Sequence, residues 1–106
     1  MPEKPTPMRA IVIEQFGGPE VLALRDRPDP EPGSGEVVLR VRAVGVNPVD
    51  AYRRSGSYAR LPRLPYTPGS DAAGEVERVG EGVTRWRPGD AVYTDHTASG
   101  AYAEAV

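Results

Sequence analysis

Cysteine is absent from this chain of 106 residues, and histidine and lysine occur once each, as His96 and Lys4. Without thiols the chain can form neither a disulfide framework nor a thiolate zinc site. Its 13 basic residues are interleaved with 15 acids, for a formal net charge of -2, so no one-signed patch is offered to nucleic acid. No apolar run approaches membrane-spanning length, and no signal-peptide pattern is present. These absences favour a soluble, cytoplasmic protein with no nucleic-acid or membrane partner.

The composition predicts one small domain divided into short elements. Hydrophobic residues make up 39% and charged residues 26%, which is typical of a globular chain. The 12 glycines and 12 prolines have no collagen-like period, so they indicate many turns. Residues 1–7 are polar and rich in proline, and we expect them to form a flexible tail before the domain at 8–106.

Apolar alternation and β-branched residues predict a mainly β fold. The clearest strand is 37–46, which places Leu39 and Val41 on one face and Arg40 and Arg42 on the other. Each of the segments 28–36 and 56–70 contains three prolines, which predict irregular structure there. Further strands are predicted at 8–16, 21–27, 74–79, 91–94 and 101–106, and a short helix at 48–55. The whole pattern is typical of a small barrel or sandwich.

The start of the predicted helix has the residues of a helix cap. Asn47 is a favoured N-cap, Pro48 suits the first helical position, and Asp50 falls three residues after the cap, where its carboxylate can reach back. Capping alone therefore explains Asn47 and Asp50 without any function.

Two tyrosines near this helix are harder to explain by packing. Tyr52 and Tyr58 flank the polar segment RRSGS, which offers little to a core. A tyrosine hydroxyl can donate a proton or hydrogen bond to a carbonyl oxygen that becomes negative. The residues alone leave two interpretations open, partly buried packing tyrosines and one wall of an active site.

Other catalytic patterns are not found. His96 lies in a short predicted loop and no serine lies in a G-x-S-x-G elbow. The chain contains neither a G-x-G-x-x-G dinucleotide loop nor a Walker sequence.

Four ordered segments of the chain resemble a known family. They are MRAIVIEQFGGPEVL, GEVVLRVRAVGVNPVDAYRRSGSY, PYTPGSDAAGEVERVGEGVTRWRPGDAVY and GAYAEAV, which run from Met8 to the last residue. Together they resemble the N-terminal part of the zeta-crystallin-like NADPH:quinone oxidoreductases, in the medium-chain dehydrogenase/reductase superfamily. The resemblance implies a GroES-like, partly open β-barrel with one or two short helices. It also implies that a separate Rossmann domain, absent from this chain, binds NADPH.

The differences from zinc-dependent relatives imply the zinc-independent branch. Zinc alcohol dehydrogenases have a cysteine ligand where this chain has Asn47, and a His-Glu pair where it has Ser70 and Asp71. Asparagine and serine are poor zinc ligands beside thiolate and imidazole, so no metal site is expected.

The resemblance also implies roles for particular residues. It places Asn47, Asp50, Tyr52 and Tyr58 on the substrate side of the cleft, and Tyr66 and Thr67 near the nicotinamide. The implied activity is NADPH-dependent reduction of a quinone or conjugated carbonyl by hydride transfer. The full-length protein could form a homodimer. The 106-residue chain alone is expected to be inactive. Two alternatives stay open: a fragment of a 2-enoyl thioester reductase, and a standalone GroES-like module for binding or oligomerisation.

Overall fold

Two small antiparallel sheets and one α-helix make up the computed structural model, which describes residues 7–97 and 99–106. The elements in chain order are β1 (Pro7–Val12), a 3-10 turn (Pro19–Val21), β2 (Ala23–Pro28), β3 (Val37–Val44), α1 (Pro48–Ser55), β4 (Ala72–Val79) and β5 (Ala91–Thr94). The tail predicted at 1–7 lies outside the described residues except for Pro7, which begins β1. The prediction of a mainly β domain with one or two short helices is confirmed.

The sheets follow chain order, with β1 paired to β2 and β3 followed by β4 and β5. The simple alternation predicted for β3 is only partly right. Val38 and Leu39 are both buried although they are neighbours, and Ala43 is exposed. The pairing of β3 with β4 shifts register between Val38 and Leu39 and again between Val41 and Ala43. Such irregularities break the two-residue period, so each one redirects the side chains that follow it.

The prediction of a regular strand at 101–106 is wrong. The segment forms isolated bridges instead, from Ala103 to β1 and from Ala105 to β3. The N–H of Ile11 donates to the Tyr102 carbonyl at 2.8 Å, whereas Leu39 and Val106 exchange both backbone hydrogen bonds. Because the segment changes partner halfway along, no continuous ladder forms, and the two sheets are joined here into one open barrel.

The core lies where this joining segment meets the three-stranded sheet. A cluster of Leu39, Ala72, Ala101 and Val106 is buried there. The helix α1 follows β3 directly, and the irregular segment 56–70 leads from it to β4, as predicted. The helix is thus held beside the joint between the sheets.

Candidate active site

The helix α1 begins with a hydrogen-bonded cap. The backbone N–H of Asn47 donates to Oδ2 of Asp50 at 3.0 Å, and the N–H of Asp50 donates to the backbone carbonyl of Asn47 at 2.9 Å. The two side chains have the placement of a capping box. The Asp50 half is closed by its side-chain hydrogen bond, and the amide nitrogen of Asn47 also donates to a partner outside the helix. The capping role predicted for Asp50 is therefore formed.

Asp50 also has a partner outside the helix. It is only 5% exposed, and its Oδ2 accepts a second hydrogen bond from the Tyr102 hydroxyl at 2.9 Å. Oδ1 of the same carboxylate is buried with no hydrogen-bond partner among the described residues. Burial, together with the hydrogen bond to Asp50, raises the pKa of Tyr102 to about 12. The cap of α1 is in this way fastened to the segment that joins the two sheets.

The Asn47 side chain joins the helix to Asp71, the residue that precedes β4. Its amide nitrogen donates to Oδ2 of Asp71 at 2.9 Å, and the N–H of Gly45 donates to the Asp71 backbone carbonyl at 3.1 Å. Asn47 occupies the position of a cysteine ligand in zinc-dependent relatives. Here its amide instead donates a hydrogen bond to the Asp71 carboxylate.

The last turn of α1 is held by main-chain contacts. Gly56 takes a positive φ of 82°, a conformation that favours glycine, and its N–H donates to the Arg53 carbonyl at 3.2 Å. Arg54 exchanges hydrogen bonds with Gly17, whose N–H donates to the Arg54 carbonyl at 2.9 Å. These contacts fix the orientation of the residues on the final turn.

The two candidate tyrosines lie on or just beyond this turn and face solvent. Tyr52 is 53% exposed and Tyr58 is 38% exposed, and no described residue hydrogen-bonds either hydroxyl. The guanidinium carbon of Arg53 lies 5.1 Å from the centroid of the Tyr58 ring, within cation–π range. Both hydroxyls therefore lack a partner among the described residues, and the Tyr58 ring lies next to a positive charge.

An open cleft of about 440 Å³ lies beside Arg53. Arg53 contributes to its wall from the helix, and Tyr66 and Thr67 contribute from the segment that precedes β4. Gly69, also in the wall, has a φ of 105°, and a Cβ there would lie 2.7 Å from Cδ1 of Tyr102. The full lining is Arg27, Arg53, Pro65, Tyr66, Thr67, Gly69, Ser70, His96, Thr97, Ser99 and Gly100.

The predicted site residues thus fall into three groups. Asn47 and Asp50 meet in the buried cap. Tyr66 and Thr67 line the cleft. Tyr58 and Tyr52 are exposed and are not part of the cleft wall, although the Tyr58 ring contacts Arg53, which is.

Three residues with a place in this arrangement were not predicted as site residues. The sequence distinguishes Asp71 only as a difference from the zinc-dependent relatives, and Arg53 only as part of a polar segment. Tyr102 had no signal at all, since it lies among small residues in GAYAEAV, 52 positions from its partner Asp50. A hydrogen bond over that separation leaves no local pattern in a single sequence.

The fold and this helix-flanked cleft define a class, the GroES-like β domains. Residues 33–105 match the family described as "Alcohol dehydrogenase GroES-like domain", so the chain belongs to that family. It is 57% identical to the quinone oxidoreductase of Lama guanicoe over 98 residues, which are 92% of this chain and 30% of that protein. The chain thus spans about 30% of the length of the curated relatives it matches. No described helix is long and apolar enough to cross a membrane.

Solved structures agree with this assignment. The human synaptic vesicle membrane protein VAT-1 homolog-like protein superposes with a TM-score of 0.90 at 38% identity, over 95% of this chain and 32% of that one. The Escherichia coli quinone oxidoreductase complexed with NADPH gives a TM-score of 0.87 at 38% identity, over 92% of this chain and 30% of that one. The resemblance to quinone oxidoreductases predicted from the four segments is confirmed.

Proposed function

We propose that this chain is the substrate-side part of an NADPH-dependent oxidoreductase that reduces quinones or conjugated carbonyls. The observation that carries the proposal is that Arg53 lines the cleft and contacts the Tyr58 ring, while the hydroxyls of Tyr58 and Tyr52 have no hydrogen-bond partner among the described residues. The likeness to quinone oxidoreductases supports the reaction class, and the NADPH bound to the Escherichia coli relative supports the cofactor. Zinc independence, a cytoplasmic location and a homodimer stay predictions of the same resemblance.

The described residues fit only one end of such a cofactor. The single described α-helix has its N-terminus closed by the Asp50 carboxylate, so it offers no open anion site for a pyrophosphate. Tyr66 and Thr67 supply an aromatic ring and a hydroxyl in the cleft wall, which suit the uncharged nicotinamide. When bound, the cofactor would supply the hydride.

The roles of the chain's own residues follow from their chemistry. The Tyr58 hydroxyl donates a hydrogen bond to the substrate oxygen, and that bond strengthens as the oxygen gains negative charge. Tyr52 orients the acceptor from the outer part of the helix. Asn47 and Asp50 contribute through the cap, which holds α1 in place against Asp71 and Tyr102.

Turnover by the whole enzyme tests the proposal. We expect NADPH oxidation that depends on added quinone, with hydroquinone formed in equal amount. The same preparation should hold no stoichiometric zinc after dialysis. Failure to reduce any quinone or enone, with a correctly folded protein, would favour the alternative of a non-enzymatic binding module.

A second measurement tests where the cofactor binds. We expect the 106-residue chain alone to show no saturable micromolar site for NADPH by calorimetry, because no phosphate-binding glycine loop is present. Tight stoichiometric binding would mean that these residues contain a cofactor site of their own.

A further inference from the structure

The cleft beside α1 has an uneven charge distribution. Its wall contains two guanidinium groups, from Arg27 and Arg53, and none of its described residues has a carboxylate side chain. The hydroxyls of Thr67 and Ser70 share the same wall, whereas the Thr97 hydroxyl already donates to the Gly69 carbonyl. A concave site with cations, several donors and no anion favours a negatively charged ligand, because desolvated cations gain most when an anion pairs with them.

Arg53 is held where it can act on a ligand. It lies on the last turn of α1, which Gly56 and Gly17 fix by hydrogen bonds, and its guanidinium stacks on the Tyr58 ring. A stacked guanidinium keeps its edge N–H donors available, and loses less rotamer freedom when it binds. Arg53 therefore connects the proposed proton-donating tyrosine with the cleft.

The positive charge of Arg53 is not neutralised within the described residues. The five described ion pairs use Arg9, Arg25, Arg40, Arg42 and His96, and neither Arg27 nor Arg53 takes part in any of them. Arg27 also borders a neighbouring depression that contains Glu14 and Asp26, so part of its charge is balanced there. Of the two arginines, Arg53 therefore offers the less balanced positive charge to an anionic ligand.

We propose that Arg53, assisted by Arg27, selects substrates that have an oxyanion, such as a sulfonate, carboxylate or phosphate, attached to the reducible quinone or enone. The inference rests on the proposed function of the same site and adds the class of substrate. The oxyanion binds in the Arg53 side of the cleft, which leaves the carbonyl near Tyr58. The arginine is thus a specificity-determining residue.

Turnover of a matched pair of quinones tests this in the whole enzyme. The probes are 1,4-naphthoquinone and its 2-sulfonate, and the quantity compared is the ratio of their kcat/KM values. We expect Arg53→Met to lower the ratio of sulfonate to neutral quinone about tenfold, mainly through KM of the sulfonate, since one charge-assisted contact is lost. Arg53→Lys should restore part of that loss because it keeps the charge.

Arg85 provides the matched control. Its guanidinium carbon lies 5.3 Å from the centroid of the Trp86 ring, but Arg85 does not line the cleft. Arg85→Met removes the same charge and a similar stacking contact, and should leave the ratio unchanged. Equal ratios in wild type and Arg53→Met, or equal losses in both methionine variants, would overturn the proposal. So would a rise in KM for NADPH with an unchanged ratio, because the arginine would then serve the cofactor.

A binding measurement separates this proposal from the proposed function. The redox-inactive anion naphthalene-2-sulfonate is titrated into the 106-residue chain, and backbone chemical shifts are followed by NMR. We expect saturable shifts at Thr67 and Ser70 that weaken with added salt and in Arg53→Met, but persist in Arg85→Met. If the whole enzyme reduces neither quinone while these shifts appear, the reaction is wrong and the anion site stands. Absence of saturable shifts overturns the anion site, whatever the turnover.

Discussion

The two ends of α1 use their polar groups in opposite ways. At the N-terminal end, Asp50 is 5% exposed and its Oδ2 accepts two hydrogen bonds, from Asn47 and Tyr102. At the C-terminal end, Tyr52 and Tyr58 are exposed and no described residue hydrogen-bonds their hydroxyls. Buried polar groups need partners within the protein, whereas exposed ones are free for a ligand. This difference predicts that the first end contributes to stability and, under the proposed function, that the second contacts the substrate.

The largest effect on the buried end should come from Asp50→Ala. The substitution removes the acceptor of both the Asn47 N–H and the Tyr102 hydroxyl. Loss of a helix cap and of a buried hydrogen bond to a carboxylate together should lower the free energy of unfolding by about 3 kcal/mol. Chemical denaturation of the variant chain measures this change.

Asp50→Asn is the matched control for that experiment. Both hydrogen bonds reach the same oxygen, Oδ2, so an asparagine oxygen in that place can accept them both. The amide nitrogen would then occupy the buried place of Oδ1, which has no described partner. We expect a loss of about 1 kcal/mol from that unsatisfied donor. A loss as large as that of Asp50→Ala would show that the negative charge, and not the acceptor geometry, holds the cap.

Substitutions at the exposed end should lower the turnover rate and leave the stability of the fold nearly unchanged. In the whole enzyme, Tyr58→Phe should lower turnover about a hundredfold, the smaller end of what losing one such donor costs, and Tyr52→Phe should lower it less. The melting temperature should hardly change in either variant, because neither hydroxyl is hydrogen-bonded by any residue that the structure describes. Normal turnover combined with a lowered melting temperature in both variants would make them packing residues and remove the catalytic assignment.

The local features of both ends were predictable from the sequence. Asn47, Pro48 and Asp50 follow the spacing of a capped helix, and Gly56 follows the helix where a left-handed residue ends it. The prolines between 56 and 70 excluded regular structure there, as observed. Each of these signals depends only on neighbours a few positions apart, which a single sequence does show.

The contacts that join distant segments could not be predicted in the same way. The strand expected at 101–106 failed because its two halves pair with different strands, β1 and β3. The same segment brings Tyr102 to Asp50 across 52 positions. Alternation of alanine with larger residues in AYAEAV is equally compatible with a strand and with a bridging segment, so only the tertiary structure distinguishes them.

Tyr102→Phe probes the joint between the buried end and the sheets. Removing the hydroxyl should lower the free energy of unfolding by about 1.5 kcal/mol at neutral pH, since Asp50 keeps its Asn47 hydrogen bond. An unfolded tyrosine ionises near pH 10, but the pKa of Tyr102 in the fold is raised to about 12. Its contribution to stability is therefore complete below pH 10 and is lost as the pH rises from 10 to 12.

The measurement is the unfolding free energy of wild type and Tyr102→Phe at several pH values between 8 and 12. The difference between the two proteins should shrink over the upper part of this range, because the other four tyrosines are common to both. A constant difference would mean that Tyr102 ionises at its ordinary pKa and that the hydrogen bond to Asp50 contributes little.

The smallest effect concerns the hydrogen bond between the side chains of Asn47 and Asp71. Asn47→Ala and Asp71→Ala should each cost about 1 kcal/mol, and the double variant should cost less than their sum. The coupling is expected at about 0.5–1 kcal/mol, since the two side chains contact each other directly and the contact is only partly buried. Denaturant unfolding of the four proteins gives this number. Coupling near zero would show that the Asn47 amide does not hold α1 against β4. The buried end of the helix would then depend on Asp50 and Tyr102 alone, and substituting Asn47 could alter turnover only by contact with the substrate.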